Sequence, residues 1–178
     1  MRILIGYATS EGQTRKIAEF SADHLRAGGH EVELFSLDDA RGVEPGRFDG
    51  VILAGSVHVG GYQKALTAFA KAHAGALNAE RDLFLSVSLT AAGDVAEDWE
   101  GLEKIVESFV ADTGWTPDRI EHVAGAFRFT EYNLFQAWAM RKIAKARDPD
   151  IDTHGDTEYT DWQKLAAVLD DWAGSLAG

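Results

Sequence analysis

A doubly wound α/β fold, with a parallel sheet covered by helices on both faces, is what three features of this 178-residue sequence predict. Short β-branched, apolar runs recur along the chain. Helix-like segments alternate with them. The runs are apolar throughout rather than at every second residue, which is how strands read when both of their faces are buried and their crossovers are right-handed helices. A chain of this length removes about 70% of its unfolded surface from water in one unit, so a single domain over 1–178 is expected.

The strand-like runs are Ile3 to Tyr7, Val32 to Leu37, Val51 to Ala54, Leu83 to Leu89 and Ile120 to Phe127. Between them the 3.6-residue pattern predicts helices over Gln13 to Ala27, Gln63 to Ala74 and Asp98 to Thr113, with a last one over Asp161 to Leu176. Thr160 followed by Gln163 is a capping-box pattern that opens this last helix. AGGH and EPGRFDG are turn signals. The stretch LDDARGVEPGRFDG leaves little room for a full helix between the second and third strands, so that crossover is expected to be irregular. Residues 128–159 break the alternation, and connections of that length in a compact domain are usually functional or disordered.

Composition excludes several function classes. With no cysteine there are no disulfides, thiolate nucleophiles or cysteine-held clusters. A net charge of −12 argues against nucleic acid as a partner, since phosphate backbones are gripped by clustered lysine and arginine. The N-terminus lacks a secretory core and no apolar stretch reaches the eighteen or so residues needed to cross a bilayer, so a cytoplasmic location is expected.

Where the first strand gives way to the first helix the sequence reads YATSEGQT. In open α/β sheets ligands bind beyond the carboxyl ends of the strands, where strand order reverses, and this loop borders that crevice. Backbone N–H groups at the helix start and the helix dipole attract an anion; Thr9, Ser10 and Thr14 add hydroxyls, and Gly12 allows close backbone approach. No lysine follows Gly12 as a Walker A loop requires, and Gly6 and Gly12 are spaced wrongly for a dinucleotide fingerprint. A terminal monophosphate fits; the alternative is a polar turn with a helix cap. GSVHVGGYQKA and SVSLTAAGD follow the third and fourth strands at the same sheet edge. Small residues there, with His58 and Tyr62, would let a flat ring lie against backbone while an aromatic or imidazole group covers one face.

TSEGQT after the first strand resembles the phosphate loop of the flavodoxin superfamily, which binds FMN. GQTRKIA, SVHVGGYQKALTAFAKAHA, GWTPDRIEHVAGAFRF and EYTDW are similar to the flavodoxin-type, menaquinone-dependent protoporphyrinogen oxidases of haem biosynthesis. The resemblance implies a flavodoxin-like five-stranded parallel sheet in the order 2-1-3-4-5, with a long insertion before the last helix. It also implies that Thr9, Ser10, Glu11, Gly12, Gln13 and Thr14 enclose the FMN phosphate, Glu11 through its backbone. Ser56, Val57, His58, Val59, Gly60, Gly61 and Tyr62 would border one side of the isoalloxazine ring, and Ser88, Leu89, Thr90, Ala91 and Ala92 the other. The family's more basic version of that last loop is absent here.

Residues 128–159 fill the place of the family's insertion. From Ala126 to Arg147 stand five basic residues, Arg128, Arg141, Lys142, Lys145 and Arg147, against the single acid Glu131. Leu134, Phe135, Trp138, Ala139 and Ile143 fall at helical spacing, giving an apolar stripe beside a cationic end. Two readings are open: the stripe lies on the anionic inner face of the cell membrane, as suits a lipid quinone acceptor, or it packs on the domain or a second subunit as in a homodimer. Asp148, Asp150 and Asp152 alternate as in an EF-hand loop, but Thr153 and Tyr159 stand where that loop needs glycine and glutamate, so no metal is expected and DPDIDTHGDTE reads as solvated loop.

The reaction implied by the resemblance is hydrogen removal from protoporphyrinogen IX, with hydride passing to the flavin and electrons to menaquinone. Arg128, with Arg141 or Lys142, is then the candidate for contact with substrate propionates or lipid headgroups. Two rivals use the same cofactor: an electron carrier docking through its acidic surface, and a quinone or small-molecule reductase. A phosphoacceptor domain of the same architecture would need acids at Tyr7 to Thr9 and Gly55 to Val57, where none stands.

Overall fold

A computed structural model describes residues 1–127 and 157–176. Strand β1 (Arg2–Ala8) leads into helix α1 (Gln13–Ala27) and edge strand β2 (Glu31–Ser36). Two short 3₁₀ turns, Leu37–Asp39 and Pro45–Arg47, carry the chain to β3 (Gly50–Ser56), so this crossover is irregular as expected. Helix α2 (Lys64–Leu77), strand β4 (Asp82–Ser88), helix α3 (Ala96–Thr113) and strand β5 (Ile120–Ala124) follow, and α4 (Trp162–Ser175) is the last described helix. The five strands pair in parallel in the order β2-β1-β3-β4-β5.

The unbroken apolar runs are explained by two cores, one on each face. Ile3 and Ile5 of β1, Ile52 and Ala54 of β3, and Leu83 and Leu85 of β4 face Ile17, Ala18 and Leu25 of α1 and Leu165, Leu169 and Trp172 of α4. The alternate residues Leu4, Val51, Leu53 and Phe84 face Leu66 and Phe69 of α2 and Phe109 of α3. Each such side chain, fully withdrawn from water, contributes about 1.5–3 kcal/mol, so a one-residue slip in any central strand would exchange one packed set for another of the wrong shape. At Gly55 a Cβ would collide with Leu66 Cδ2, so glycine lets α2 close on the end of β3 beside the ligand edge.

Three expectations need correction. The run Ile120 to Phe127 is not one strand: β5 stops at Ala124, and β6 (Ala126–Phe127) pairs antiparallel with β7 (Thr157–Glu158). The end of the acidic stretch is therefore a paired strand rather than solvated loop. The last helix is capped by Asp161, whose carboxylate accepts from the Lys164 N–H at 2.9 Å, not by Thr160. Thr160 is occupied elsewhere, donating to the Ala124 carbonyl at 2.7 Å and accepting from Gln13 Nε2 at 2.9 Å. No helix among the described residues is long and apolar enough to cross a membrane.

Candidate functional site

The chain leaves β1 for β2 on one side, then crosses back over β1 to β3, and a crevice opens at that reversal beyond the carboxyl ends of the strands. A cleft, partly open to solvent, lies there. Its walls include Thr9, Ser10, Glu11, Gln13 and Thr14 from the first loop, Ser56, Val57 and His58 from the third-strand loop, and Ser88 and Leu89 after β4.

The first loop is shaped by Gly12, whose φ of 87° lies in the left-handed region, and its N–H donates to Thr9 Oγ1 at 2.9 Å. Helix α1 then starts without a side-chain cap and with no acid in its first turn. First-turn amides have no partner inside their own helix, so they and the dipole present positive potential. Thr14 Oγ1 is buried and makes no hydrogen bond among the described residues. A buried hydroxyl without a partner costs about 1–3 kcal/mol, and here it lines the cleft at a helix N-terminus; a phosphate oxygen would satisfy it. The donor set therefore fits a phosphomonoester.

Sequence reasoning missed the residue that joins the first and third loops. Gln63, just before α2, donates from Nε2 to Ser10 Oγ at 3.1 Å and to Ser56 Oγ at 2.6 Å, while its Oε1 accepts from the Ser56 N–H at 3.1 Å. Nothing in GGYQKA distinguishes this glutamine from an exposed helix-start residue, because the clamp exists only once β1 and β3 are adjacent. Val87, Gly125 and Ala126 also line the cleft and carry no polar signature.

Several expected contacts are not brought to the cleft. Tyr62 turns into the core, its hydroxyl 2.7 Å from Ser86 Oγ and its ring edge-on to Phe84 and Phe109; burial pushes the phenol up to about 12, against the hydrogen bond with Ser86. Its ring is thus engaged away from the face it was expected to cover. Val59 and Gly60 form the tip of a hairpin closed by mutual backbone bonds between His58 and Gly61. Val59 is 92% exposed and has a φ of 50°, a left-handed conformation costly for a β-branched residue. Thr90, Ala91 and Ala92 form a 3₁₀ turn anchored by the Ala91 N–H to Ser88 Oγ at 3.2 Å, and Ala91 and Ala92 face a neighbouring hollow shared with His122 and Lys164. Arg128, Arg141 and Lys142 lie outside the described residues.

Parallel strands in this order, with an anion cradle of hydroxyls and amides after the first, define a flavodoxin-type mononucleotide-binding protein. Comparison with known proteins agrees: the family described as "Flavodoxin domain" matches residues 4–154, and the chain belongs to it. The chain is 30% identical over 166 residues to "Protoporphyrinogen IX dehydrogenase [quinone]" of Escherichia coli (strain K12), covering 93% of this chain and 91% of that one. A protein of the same name from Leishmania major is 25% identical, covering 97% of this chain and 74% of its own length. Among solved structures, oxidised Flavodoxin 2 from Bacillus cereus superposes with a TM-score of 0.57 at 17% identity, covering 98% of this chain and 99% of that one. A cysteine-to-serine mutant of flavodoxin from Pseudomonas aeruginosa gives 0.56 at 14%, covering all of both chains. The cofactor is FMN, and the chain is an FMN-dependent oxidoreductase.

The clamp has a measurable consequence. Gln63→Leu removes donors from Ser10 and Ser56 together, and FMN binding is expected to weaken about tenfold, as loss of one or two hydrogen bonds implies. Titration of flavin fluorescence reads this directly; unchanged affinity would show that the two loops hold their places without Gln63.

Proposed function

We propose that the protein oxidises protoporphyrinogen IX to protoporphyrin IX in haem biosynthesis and passes the electrons to a quinone, menaquinone where that is the pool. The observation that carries the reading is 30% identity, sustained over 93% of the chain, to a relative bearing that name. It is supported by the long connection between Phe127 and Thr157, which an electron carrier of this fold does not need for its sheet or its cofactor. The whole chain acts as one domain with that connection as an insertion.

In this reading Thr9, Ser10 and Thr14, with the first-turn amides of α1, hold the phosphate. Glu11 contributes backbone at the rim and Gln13 its N–H. Ser56, Val57 and His58 flank one side of the ring system and Ser88 and Leu89 the other, keeping bulk water from it. FMN, when bound, supplies the two-electron chemistry. The chain's own part would be to hold the phosphate in the first loop and to border the ring between the loops after β3 and β4, shaping the substrate's access to it.

The insertion supplies the remaining recognition. Arg128, Arg141 and Lys142 pair with substrate propionates or with anionic headgroups at the membrane where the quinone resides, each cation near such a surface being worth about 1 kcal/mol. Reversing all three to glutamate is expected to lower porphyrin formation on vesicles at least tenfold and to abolish cosedimentation with anionic vesicles. If both are retained, these residues have no such role.

The decisive experiment incubates flavin-loaded protein with protoporphyrinogen IX under anaerobic conditions, with and without a naphthoquinone, and follows porphyrin fluorescence. Quinone-dependent porphyrin is the expected result. Its absence, with flavin still exchanging electrons with redox proteins, would leave an electron carrier.

A further inference from the structure

We propose that Glu158 is the positioning residue of the phosphate cradle, holding the start of α1 in its anion-binding shape from the far end of the insertion. This rests on the reading that the cradle takes the phosphate of FMN. Glu158 does not line the cleft. Its carboxylate instead gathers three donors: Gln13 Nε2 at 3.1 Å and Lys16 Nζ at 2.6 Å on Oε2, and Trp162 Nε1 at 2.9 Å on Oε1. Burial pushes this carboxyl up, but the bonds from Lys16, Gln13 and Trp162 together hold it below the usual carboxylate range.

Two of those donors belong to the opening turns of α1. Gln13 is its first residue and is buried, and its amide nitrogen is spent on Glu158 and on Thr160, so the side chain is turned toward the root of α4. Lys16, whose N–H closes the first helical turn on the Gly12 carbonyl at 3.1 Å, is drawn by Glu158 over the Trp162 ring, 5.2 Å from its centre. Lys16 is thereby paired with Glu158, as its neighbour Arg15 is with Glu19 at 2.8 Å, leaving hydroxyls and amides to face the phosphate.

The same residue also reaches the other wall of the cleft. Glu158 stands opposite Ala126 in the β6–β7 ladder, and Ala126 lines the cleft. Next to it the Tyr159 N–H donates to the Gly125 carbonyl at 3.0 Å, and the Gly125 N–H to the Ser88 carbonyl at 3.0 Å. The carboxylate therefore ties the opening of α1 to β7 and to the first turn of α4, while backbone bonds carry on from β7 and Tyr159 to Gly125 and the end of β4, so that removing the carboxylate loosens the α1 end first.

The test compares FMN with riboflavin, which lacks the phosphate. With Glu158→Ala, FMN affinity measured by fluorescence titration is expected to fall about tenfold while riboflavin affinity changes less than roughly twofold. Amide hydrogen exchange at residues 13–16 of the flavin-free protein should quicken. Glu158→Gln, which keeps one acceptor for Gln13, should recover part of the preference for FMN. Equal losses for both flavins would show a merely structural role, and no loss for either would show no role; each overturns the proposal. Should Glu158→Ala fail to fold, Lys16→Met removes the tie from the other side at a residue that does not line the cleft, and must lower the FMN preference in the same way. If the unaltered protein itself does not prefer FMN to riboflavin, the cradle reading fails first and takes this inference with it; a preference retained in the variants overturns this inference alone.

Discussion

Valine at position 14 is expected to weaken FMN binding by roughly ten- to a hundredfold while making the flavin-free protein more stable by about 1 kcal/mol. The two effects share one cause. Thr14 Oγ1 is a buried hydroxyl with no hydrogen bond among the described residues, so without ligand it pays the desolvation of a polar group and gains nothing. Valine keeps the branched shape and removes that cost. When a phosphate oxygen lies within reach the balance reverses, because a hydrogen bond to a charged acceptor is worth about 1.5–3 kcal/mol and valine cannot make it. Denaturant unfolding of the flavin-free variant and titration with FMN measure the two sides separately. A Thr14→Val protein that binds FMN as the wild type does would place the phosphate elsewhere in the loop.

The parts of this fold that periodicity reveals are those governed by local burial. Strands β1, β3 and β4 are apolar on both faces because both faces meet helices, and a run such as ILI or VILA states that without any knowledge of its neighbours. The place of the first loop at the crevice was legible for a similar reason, since a loop between a buried strand and the following helix borders the carboxyl ends of the strands wherever the rest of the chain goes. What failed to show were features made by residues distant in sequence. The run VAGAF looks continuous, yet Gly125 breaks it, its N–H held by Ser88 and its carbonyl by Tyr159, so that the chain leaves the parallel sheet for an antiparallel pair. Thr160 with Gln163 satisfies the capping pattern, but the hydroxyl is claimed by Ala124 and Gln13, and the neighbouring Asp161 takes the cap. Tyr62 was read as a ring for the cofactor because aromatics suit flat ligands; Phe84, Phe109 and Ser86 offer it a better-packed site within the core. Gln63 and Glu158 were invisible because a polar residue at an element's end acquires its partners only in the assembled sheet.

Asp82 gives the largest effect expected away from the cleft: between pH 4 and pH 7 the stability of Asp82→Asn should gain on that of the wild type by about 2 kcal/mol. The carboxyl sits at the start of β4, 1% exposed, beneath the fully buried Trp115. Trp115 Nε1 donates to Oδ2 at 2.5 Å and the Asp118 N–H to Oδ1 at 2.7 Å. Burial raises its titration from 3.8 to about 6, outweighing those two bonds, which favour the charged form. Below the unfolded value both states carry the proton and the group is neutral to folding. As pH rises from about 4 to about 6 the unfolded chain ionises while the folded one resists, so stability falls across that window and stays low above it. Asparagine has one acceptor where the carboxyl offers two oxygens to two N–H groups, so it loses one of those bonds at every pH, but it never ionises, so the pH-dependent penalty that the wild type incurs on the way to neutrality disappears. Denaturant unfolding of both proteins at pH 4 and pH 7 gives the difference directly, with other titrating groups common to the pair. A difference between the two proteins that stays constant from pH 4 to pH 7, or moves in favour of the wild type, would mean that the bonds from Trp115 and Asp118 outweigh desolvation and that the ionised carboxylate, not the neutral acid, is what this corner of the core is built to hold.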